Sequence, residues 1–318
     1  MSTYKEINGI KVQSLSSDPP APFEGEVWYN STSDTLKYFA NVSAGWATSA
    51  AITGRTTLAG AGVETAGIVF GGADPGVEPP LTNATEEYNG SSWTNGGNMA
   101  VARKGLAAAG TQTATLAFGG SEPPSENSTE EYNGSSWTNG GNMGSGRKYL
   151  MGCGTQTAAL GFGDGFSTTA TEEYNGTSWS GGGALNNGTG RGAGAGIQTA
   201  ALAIGGTEAS RTEEYNGTSW ASGGELITAR DGNSGCGTQT AAITFGGEPL
   251  GTPGAATEQY NGTSWTSVAN MGTARQRSAG FGTKTSAIVA GGESASGVGG
   301  LTEEWSEGGP ATLTVGTS

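Results

Sequence analysis

Short apolar stretches recur along the chain from residue 55 onward, and polar or glycine-rich segments separate them. Five of these stretches have five residues each, namely Ala114–Phe118, Ala158–Phe162, Ala200–Ile204, Ala241–Phe245 and Ser286–Ala290. Gly-Gly follows each of them except the second, which Gly163-Asp164 follows. Runs this short between glycine turns cannot form a stable helix, so the pattern predicts buried β-strands.

A polar segment, Thr-Glu-Glu-Tyr-Asn-Gly with Trp three residues later, is repeated in phase with the apolar stretches. Its complete copies are residues 85–93, 129–137, 171–179, 212–220 and, with Gln259 replacing one Glu, 257–265; residues 301–305 form a partial sixth copy. Successive copies lie 41 to 45 residues apart. This period is typical of a propeller or a solenoid.

Each period contains four predicted strands. A Gly/Ala-rich strand such as residues 105–110 turns at Gly-Thr-Gln into the apolar strand, and the Glu-Glu-Tyr and Trp positions occupy the third and fourth strands. The Asn-Gly pair between the last two strands predicts a hairpin with a type I′ turn, which requires positive φ at both central residues. Four short antiparallel strands per period predict the blade of an all-β propeller.

The ordered set of markers resembles the kelch repeat. An Arg opens each copy, followed by the apolar strand ending in Gly-Gly, the Glu-x-Tyr position and the Trp. The opening arginines are Arg55, Arg103, Arg147, Arg191, Arg230 and Arg275. The resemblance covers residues 55–305 and implies a kelch-like β-propeller. The chain departs from the pattern in its short period and in Asp164, which stands in the Gly-Gly position.

Residues 23–39 form a second resemblance. They predict a β-hairpin, and this segment resembles a hairpin module common near the starts of tailed-phage structural and tail-fibre proteins. We therefore divide the chain into an N-terminal arm (1–24), which supplies either a first strand or an assembly contact, a phage-type hairpin module or blade (25–54), and six kelch-like repeats (55–318).

The spacing favours seven blades. Residues 26–48 are in phase as second, third and fourth strands, residues 10–15 supply a first strand, and residues 311–315 supply the last strand missing from the final copy. The alternative is a propeller of six blades, in which the strand containing Trp46 closes the last blade as a clasp.

The repeated charged and aromatic residues predict structural roles. We expect one Glu of each pair to form a charge-assisted bond with the Arg of its repeat, and the other Glu to face solvent. The Tyr and Trp positions are expected to pack between blades, and Cys153 and Cys236 to be small buried residues. The structural set contains Arg103, Arg147, Arg230, Glu86, Glu130, Glu172, Tyr88, Tyr132, Tyr174, Trp93, Trp137 and Trp179.

Composition narrows the classes of function. The chain has 14 Lys and Arg against 28 Asp and Glu, and this net charge of −14 argues against binding to nucleic acid or to an acidic membrane surface. No apolar run approaches the length of a membrane span, so we expect no insertion into a membrane. The absence of histidine removes Ser-His-Asp catalysis and the usual zinc ligands. Adjacent strand residues point to opposite faces, so the Glu pairs do not form a glycosidase site. We expect no enzyme activity, no cofactor and no metal, and the start of the sequence lacks a secretory signal.

The loops between second and third strands vary in length and sequence, whereas the Gly-Thr-Gln and Asn-Gly turns at the other end of each blade are uniform. Variable loops on a rigid scaffold commonly carry binding, although idle connectors would look the same. The expected contact residues are Asp74, Glu78, Glu122, Glu126, Phe166, Glu208 and Glu248.

These features predict a virion protein of a tailed phage, made in the host cytoplasm and present in several copies or as a homo-oligomer. Its expected partners are other virion proteins and a host-surface glycan. Two alternatives remain: a carbohydrate-active or oxidase-type kelch enzyme, and a bacterial protein-binding propeller.

Overall fold

The computed structural model describes residues 12–74, 80–121, 125–165, 168–207, 209–248 and 254–315. Within these ranges every regular element is a β-strand, and no helix is long and apolar enough to cross a membrane. The chain forms two compact units. We call Met1–Ala44 with Glu307–Ser318 the terminal unit, and Gly45–Ser306 the propeller unit.

The terminal unit contains one four-stranded sheet. Its strands are β1 (Gln13–Leu15), β2 (Val27–Asn30), β3 (Thr35–Val42) and β30 (Gly309–Thr314), in the order β1-β2-β3-β30. The carboxylate of Asp18 links this sheet, because it accepts hydrogen bonds from the Lys37 ammonium, the Asn30 amide and the Trp28 indole. These bonds hold the pKa of Asp18 at about 2.

The propeller unit contains six four-stranded sheets, which we call blades 1 to 6. Blade 1 contains β5 (Ala59–Val63), β6 (Ala66–Phe70), β7 (Thr85–Tyr88) and β8 (Trp93–Asn95). Blade 2 contains β9 (Ala107–Thr111), β10 (Ala114–Phe118), β11 (Thr129–Tyr132) and β12 (Trp137–Asn139). Blade 3 contains β13 (Met151–Thr155), β14 (Ala158–Phe162), β15 (Thr171–Tyr174) and β16 (Trp179–Gly181).

The remaining blades follow the same plan. Blade 4 contains β17 (Ala193–Ile197), β18 (Ala200–Ile204), β19 (Thr212–Tyr215) and β20 (Trp220–Ser222). Blade 5 contains β21 (Ser234–Thr238), β22 (Ala241–Phe245), β23 (Thr257–Tyr260) and β24 (Trp265–Val268). Blade 6 contains β25 (Ala279–Gly282), β26 (Ser286–Ala290), β29 (Thr302–Ser306) and β4 (Gly45–Ser49), with a small hairpin formed by β27 (Glu293–Ser294) and β28 (Gly297–Val298).

The inner strands of the six blades form a closed ring. Each inner strand packs beside the next, and β25 of blade 6 packs beside β5 of blade 1. Close approach explains the Gly/Ala composition of these strands. A Cβ added at Gly194 of β17, for example, would lie 2.4 Å from the Gly152 carbonyl oxygen of β13.

The prediction of an all-β propeller is confirmed, and the seven blades that the spacing favoured correspond to seven four-stranded sheets. Six of the sheets form the ring, and the seventh lies in the terminal unit. The last blade is closed by the strand containing Trp46, as in the clasp alternative, and Trp46 pairs with Trp305. The assignment of residues 311–315 to that blade was wrong, because β30 pairs with β3, and β1 runs parallel to β2 rather than antiparallel as in a blade.

The apolar core lies between the blades. Ile68 and Phe70 of blade 1 pack with Leu106, Ala117 and Tyr132 of blade 2, and four of the other five core clusters likewise join consecutive blades. The remaining cluster joins blade 6 to blade 1 through Ile288 and Val69. A blade therefore depends on its neighbours for burial, so we expect closure of the ring to contribute to stability.

The Asn-Gly hairpin differs in detail from the predicted type I′ turn. In blade 1, four residues separate the paired Tyr88 and Trp93, and only Gly90 of the turn has positive φ. The Asn89 side-chain oxygen instead accepts the backbone N–H groups of Ser91 and Ser92, at 3.0 and 2.9 Å. Asn is therefore needed for this local side-chain bond.

Both cysteines are buried and free, as expected. Burial raises the pKa of the Cys153 thiol to about 12 and also raises the pKa of Cys236. Neither thiol is in the ionised form that nucleophilic chemistry requires at neutral pH.

Candidate binding face of the propeller

Five blades contain the expected buried ion pair. In blade 2 the Arg103 guanidinium is fully buried, lies 3.1 Å from Glu130, and donates to the carbonyls of Gly119 and Ser128 at 2.7 and 2.8 Å. Burial lowers the pKa of Arg103, and the Glu130 charge opposes this effect. The five pairs are Arg55–Glu86, Arg103–Glu130, Arg147–Glu172, Arg230–Glu258 and Arg275–Glu303.

Among the residues that the structure describes, blade 4 has no such pair, and Arg191 pairs with Asp231, so the assignment of Arg191 to the repeated position was wrong. Thr189 occupies the position, and its hydroxyl donates to the Gly205 carbonyl as Arg103 does to Gly119. The buried Glu213 accepts the backbone N–H groups of Asn186 and Asn187 instead. A cavity of about 10 Å³ remains beside Thr189 and Glu213. Arg191 lies two residues after Thr189 and makes different contacts.

The second Glu of each pair does not simply face solvent, as we expected. Glu87 is half-buried and accepts the Tyr132 hydroxyl of the next blade at 2.5 Å. The same bond joins Tyr174 to Glu131, Tyr215 to Glu173, Tyr260 to Glu214 and Tyr88 to Glu304. Burial and this carboxylate together raise the pKa of Tyr132 to about 12. Both members of the Glu pair are therefore engaged in structure.

The turns at one end of the blades are tied together in a uniform way. Gln112 donates to the carbonyls of Gly67 and Tyr88 in the preceding blade, at 2.9 and 2.7 Å. Gln156, Gln198 and Gln239 make the equivalent pair of bonds. This end of the propeller, which we call the turn face, therefore repeats the same chemistry in most blades.

At the opposite end of the propeller, backbone hydrogen bonds join the six blades in a ring around the central channel. One residue per blade donates its N–H to the carbonyl of the equivalent residue in the preceding blade, over distances of 2.6 to 2.8 Å. The six residues are Thr57, Gly105, Tyr149, Arg191, Gly232 and Arg277, and all have φ between 55° and 67°. We call this set the mouth ring. It joins blade 6 to blade 1 through the bond from Thr57 to Arg277.

The charged side chains of the mouth ring have acidic partners. Arg277 lies 3.0 Å from Glu248 and 3.3 Å from Glu293, and Arg191 lies 3.4 Å from Asp231. The Arg191 guanidinium also stands over the Tyr149 ring, 5.2 Å from its centre. About one third of each Arg side chain is exposed, 37% for Arg191 and 33% for Arg277.

Asp231, by contrast, is buried. Burial raises the pKa of this carboxyl, and the charge of Arg191 opposes the rise. The acidic partners thus hold both mouth arginines in fixed positions around the axis.

A cavity of about 90 Å³ lies at the axis, bordered by the mouth ring and by the next residue of each blade. Blades 1 to 3 contribute Leu58, Leu106 and Leu150 to its wall. Blades 4 to 6 contribute Gly192, Asn233 and Ser278. The three leucines are each 6% exposed and belong to the core clusters between blades, and the Asn233 amide donates inward to Ile204 and Thr244.

The expected contact residues are only partly placed. Glu78, Glu122, Phe166 and Glu208 lie outside the described residues. Glu248 lies at the mouth beside Arg277. Glu126 is half-buried and its carbonyl accepts the Arg147 N–H, while Asp74 bonds through its backbone to Pro80.

Sequence reasoning missed Tyr149, Arg277 and Asn233, which interrupt the repeat at the mouth. A signal was present in Gly105 and Gly232, because glycine at two equivalent positions indicates a backbone with positive φ.

No family model and no curated protein matches this chain. Within the described residues, no group of three or more His, Cys, Asp or Glu side chains is placed to hold a metal ion.

Proposed function

We propose that this chain is a non-enzymatic kelch-like propeller of a tailed-phage virion, where it binds a host-surface glycan or a neighbouring virion subunit through the mouth end of its axial channel. The virion assignment is supported by the resemblance of residues 23–39 to phage hairpin modules. The binding assignment rests on one observation: Tyr149, Arg191 and Arg277 interrupt the repeat together at the mouth ring, whereas four of the six blades share the same Gln contacts at the turn face.

The scaffold suits display because it is cross-linked between all blades. The mouth ring joins them near the axis, and the Tyr–Glu bonds join most of them farther out. A closed ring also protects strand edges that would otherwise pair with other chains. Loops and mouth residues held on such a frame lose little freedom on binding, and several copies on one particle would raise weak contacts to useful avidity.

A catalytic role has less support from the described residues. Of the repeated carboxylates, Glu86 is paired with Arg55, and Glu87 accepts Tyr132. At the mouth, Arg191 and Arg277 are held by acids rather than placed beside a free nucleophile. An enzyme remains the alternative, and a screen of the purified protein for glycoside hydrolysis and alcohol oxidation tests it directly.

Immunogold electron microscopy of purified phage tests the virion assignment. We expect gold particles at one defined part of the virion. The free protein should also compete with phage for adsorption to host cells if it binds the host surface. Labelling of lysed host cells with unlabelled virions would refute the assignment. Labelled virions without competition would assign the protein to contacts between virion subunits.

A further inference from the structure

We propose that the cavity in blade 4 binds one small monovalent cation, which takes the place of the guanidinium that the other five blades hold at the equivalent position. The cavity has a volume of about 10 Å³, and Thr189, Gly205, Arg211 and Glu213 are among the residues that border it. This site is distinct from the mouth and does not depend on the proposed adhesive function.

The other blades show what the acceptors at this position bind. In blade 2, Arg103 donates to the carbonyls of Gly119 and Ser128 at 2.7 and 2.8 Å, and it pairs with Glu130 at 3.1 Å. Blades 3, 5 and 6 repeat these three contacts with Arg147, Arg230 and Arg275. Two carbonyl oxygens and one carboxylate therefore surround a positive charge in each of these blades.

Blade 4 retains the same three acceptors without the guanidinium. Gly205 and Arg211 supply the carbonyls, because the Gly205 N–H donates to the Arg211 carbonyl at 2.8 Å, as the equivalent residues of blade 2 do at 3.2 Å. Glu213 supplies the carboxylate and is 4% exposed. The side chain at the Arg position is the short Thr189, whose hydroxyl donates to the Gly205 carbonyl at 3.3 Å.

The charge of Glu213 has no ionic partner in the part of the chain that the structure describes. Arg211 is exposed and makes no ion pair with it. The carboxylate accepts backbone and side-chain N–H groups of Asn186 and Asn187, but these donors are neutral. In blade 5, backbone N–H groups likewise reach the equivalent Glu258, and the Arg is present as well. A buried carboxylate is normally paired with a cation or bound to a metal.

Size and charge select the ligand. A cavity of about 10 Å³ accommodates about one particle of the size of a water molecule. Small monovalent cations such as potassium and ammonium are close to this size, and carbonyl oxygens can replace the water around an alkali cation. The single carboxylate compensates one positive charge, so a monovalent ion is favoured over calcium or magnesium.

Thermal unfolding of the full-length protein in different chloride salts tests the site. The salts of potassium, sodium, ammonium, calcium and choline are compared at equal ionic strength, and choline, which is too large for the cavity, is the reference. A ligand that binds only the folded state raises Tm as its concentration increases. We expect at least one small monovalent cation to raise Tm by about 2 °C or more above the value in choline.

A variant tests whether this effect comes from blade 4. Thr189→Arg introduces the guanidinium of the other blades, so its Tm in choline should exceed that of the unmodified protein, and the small cations should raise it no further. Thr94→Arg is the matched control, because it makes the same substitution at an exposed position of β8 in blade 1. The control should retain the full response to the small cations.

A second measurement locates the ion without any variant. Crystals of the unmodified protein grown in rubidium chloride should give an anomalous scattering peak beside Glu213. A missing peak, or peaks only elsewhere, would overturn the inference and leave the cavity to water.

The unfolding experiment has its own contrary outcomes. Equal Tm values in all salts, or a response that Thr189→Arg retains, would overturn the site. A rise of Tm with calcium but with no monovalent cation would contradict the assigned charge. The immunogold and adsorption experiments do not depend on any of these results, so failure of the cation site leaves the proposed function to its own test.

Discussion

Trp46 donates its indole N–H to the hydroxyl of Thr257 at 3.0 Å, although 211 residues separate them in the chain. Trp137, Trp179, Trp220 and Trp265 make the same bond to the equivalent Thr of the preceding blade. An N-terminal strand has therefore taken the outer position of blade 6, with the contacts of a fourth strand. The ring is closed by a segment that no short hairpin tethers to its blade.

This closure predicts that Trp46→Ala destabilises the propeller more than Trp137→Ala. Both substitutions remove the indole bond and an aromatic contact with a neighbouring Phe, at centroid distances of 4.9 and 4.8 Å. Both indoles are half-buried, so each substitution should cost less than the loss of about 3–5 kcal/mol that is typical of a fully buried Trp. Only β4 is free to detach from its blade, since β12 is linked to β11 by a short turn. Calorimetry should show a lower Tm for Trp46→Ala, with faster proteolysis between residues 44 and 55. Equal effects in the two variants would contradict a weak closing strand.

The buried ion pair of blade 2 predicts a large effect for Arg103→Ala. Removal of Arg103 leaves the Glu130 carboxylate, which is 1% exposed, without its cation. Breaking a buried pair from one side typically costs about 3–5 kcal/mol. Denaturant unfolding at neutral pH measures the loss. The control is Arg211→Ala, which removes an exposed Arg from outside the repeated position. An unchanged midpoint for Arg103→Ala would refute the structural role of the pair.

Much of this architecture is readable from local sequence. The period, the apolar strand and the Arg–Glu pair depend on residues within one repeat, so spacing alone predicts them. The exchange of strands at closure is different, because a strand with Trp46 fits equally well beside β3 or beside β29 until long-range pairing is known. In the structure β30 pairs with β3, and β4 pairs with β29.

The error at Arg191 had a detectable signal. Arg103 and Arg147 precede the first Gly of their Gly-Gly position by 16 residues, and so does Thr189. Arg191 precedes Gly205 by only 14 residues. The mouth site was harder to find, because its residues share a backbone conformation rather than a residue type. Tyr149 and Arg277 look like surface variation until the ring of backbone bonds aligns them.

The Tyr–Glu bonds predict a loss of stability at alkaline pH. The pKa of Tyr132, Tyr174 and Tyr260 is raised to about 12, whereas an unfolded Tyr ionises near pH 10. The protonated hydroxyl is favoured in the folded state, so its contribution is complete below about pH 10 and is lost as the pH rises towards about 12. The absorbance of tyrosinate should rise at a higher pH in the folded protein than in the unfolded protein, and Tm should fall across this interval. Tyr132→Phe should weaken the pH dependence, and an unaltered profile in that variant would contradict its role.

At the junction between blades 5 and 6, two residues that face each other both depart from the repeat. Gln259 stands where the other blades have the Tyr-binding Glu, and Trp305 stands in the Tyr position of the following blade. Both side chains donate to the Lys284 carbonyl, at 3.2 and 3.1 Å. A Glu at position 259 would have no donor for this carbonyl and no Tyr hydroxyl to accept.

The two exceptions should therefore be coupled. We expect Gln259→Glu alone to lower the free energy of unfolding by about 1–3 kcal/mol, because it replaces a donor with an uncompensated carboxylate. Adding Trp305→Tyr should restore the Tyr–Glu bond of the other junctions, so the double variant should lose about 1–2 kcal/mol less than the sum of the single variants. Denaturant unfolding of the four proteins in this cycle measures the coupling. Additive losses would show that the two positions vary independently, and that the Tyr–Glu bond of the other blades does not select the residue pair.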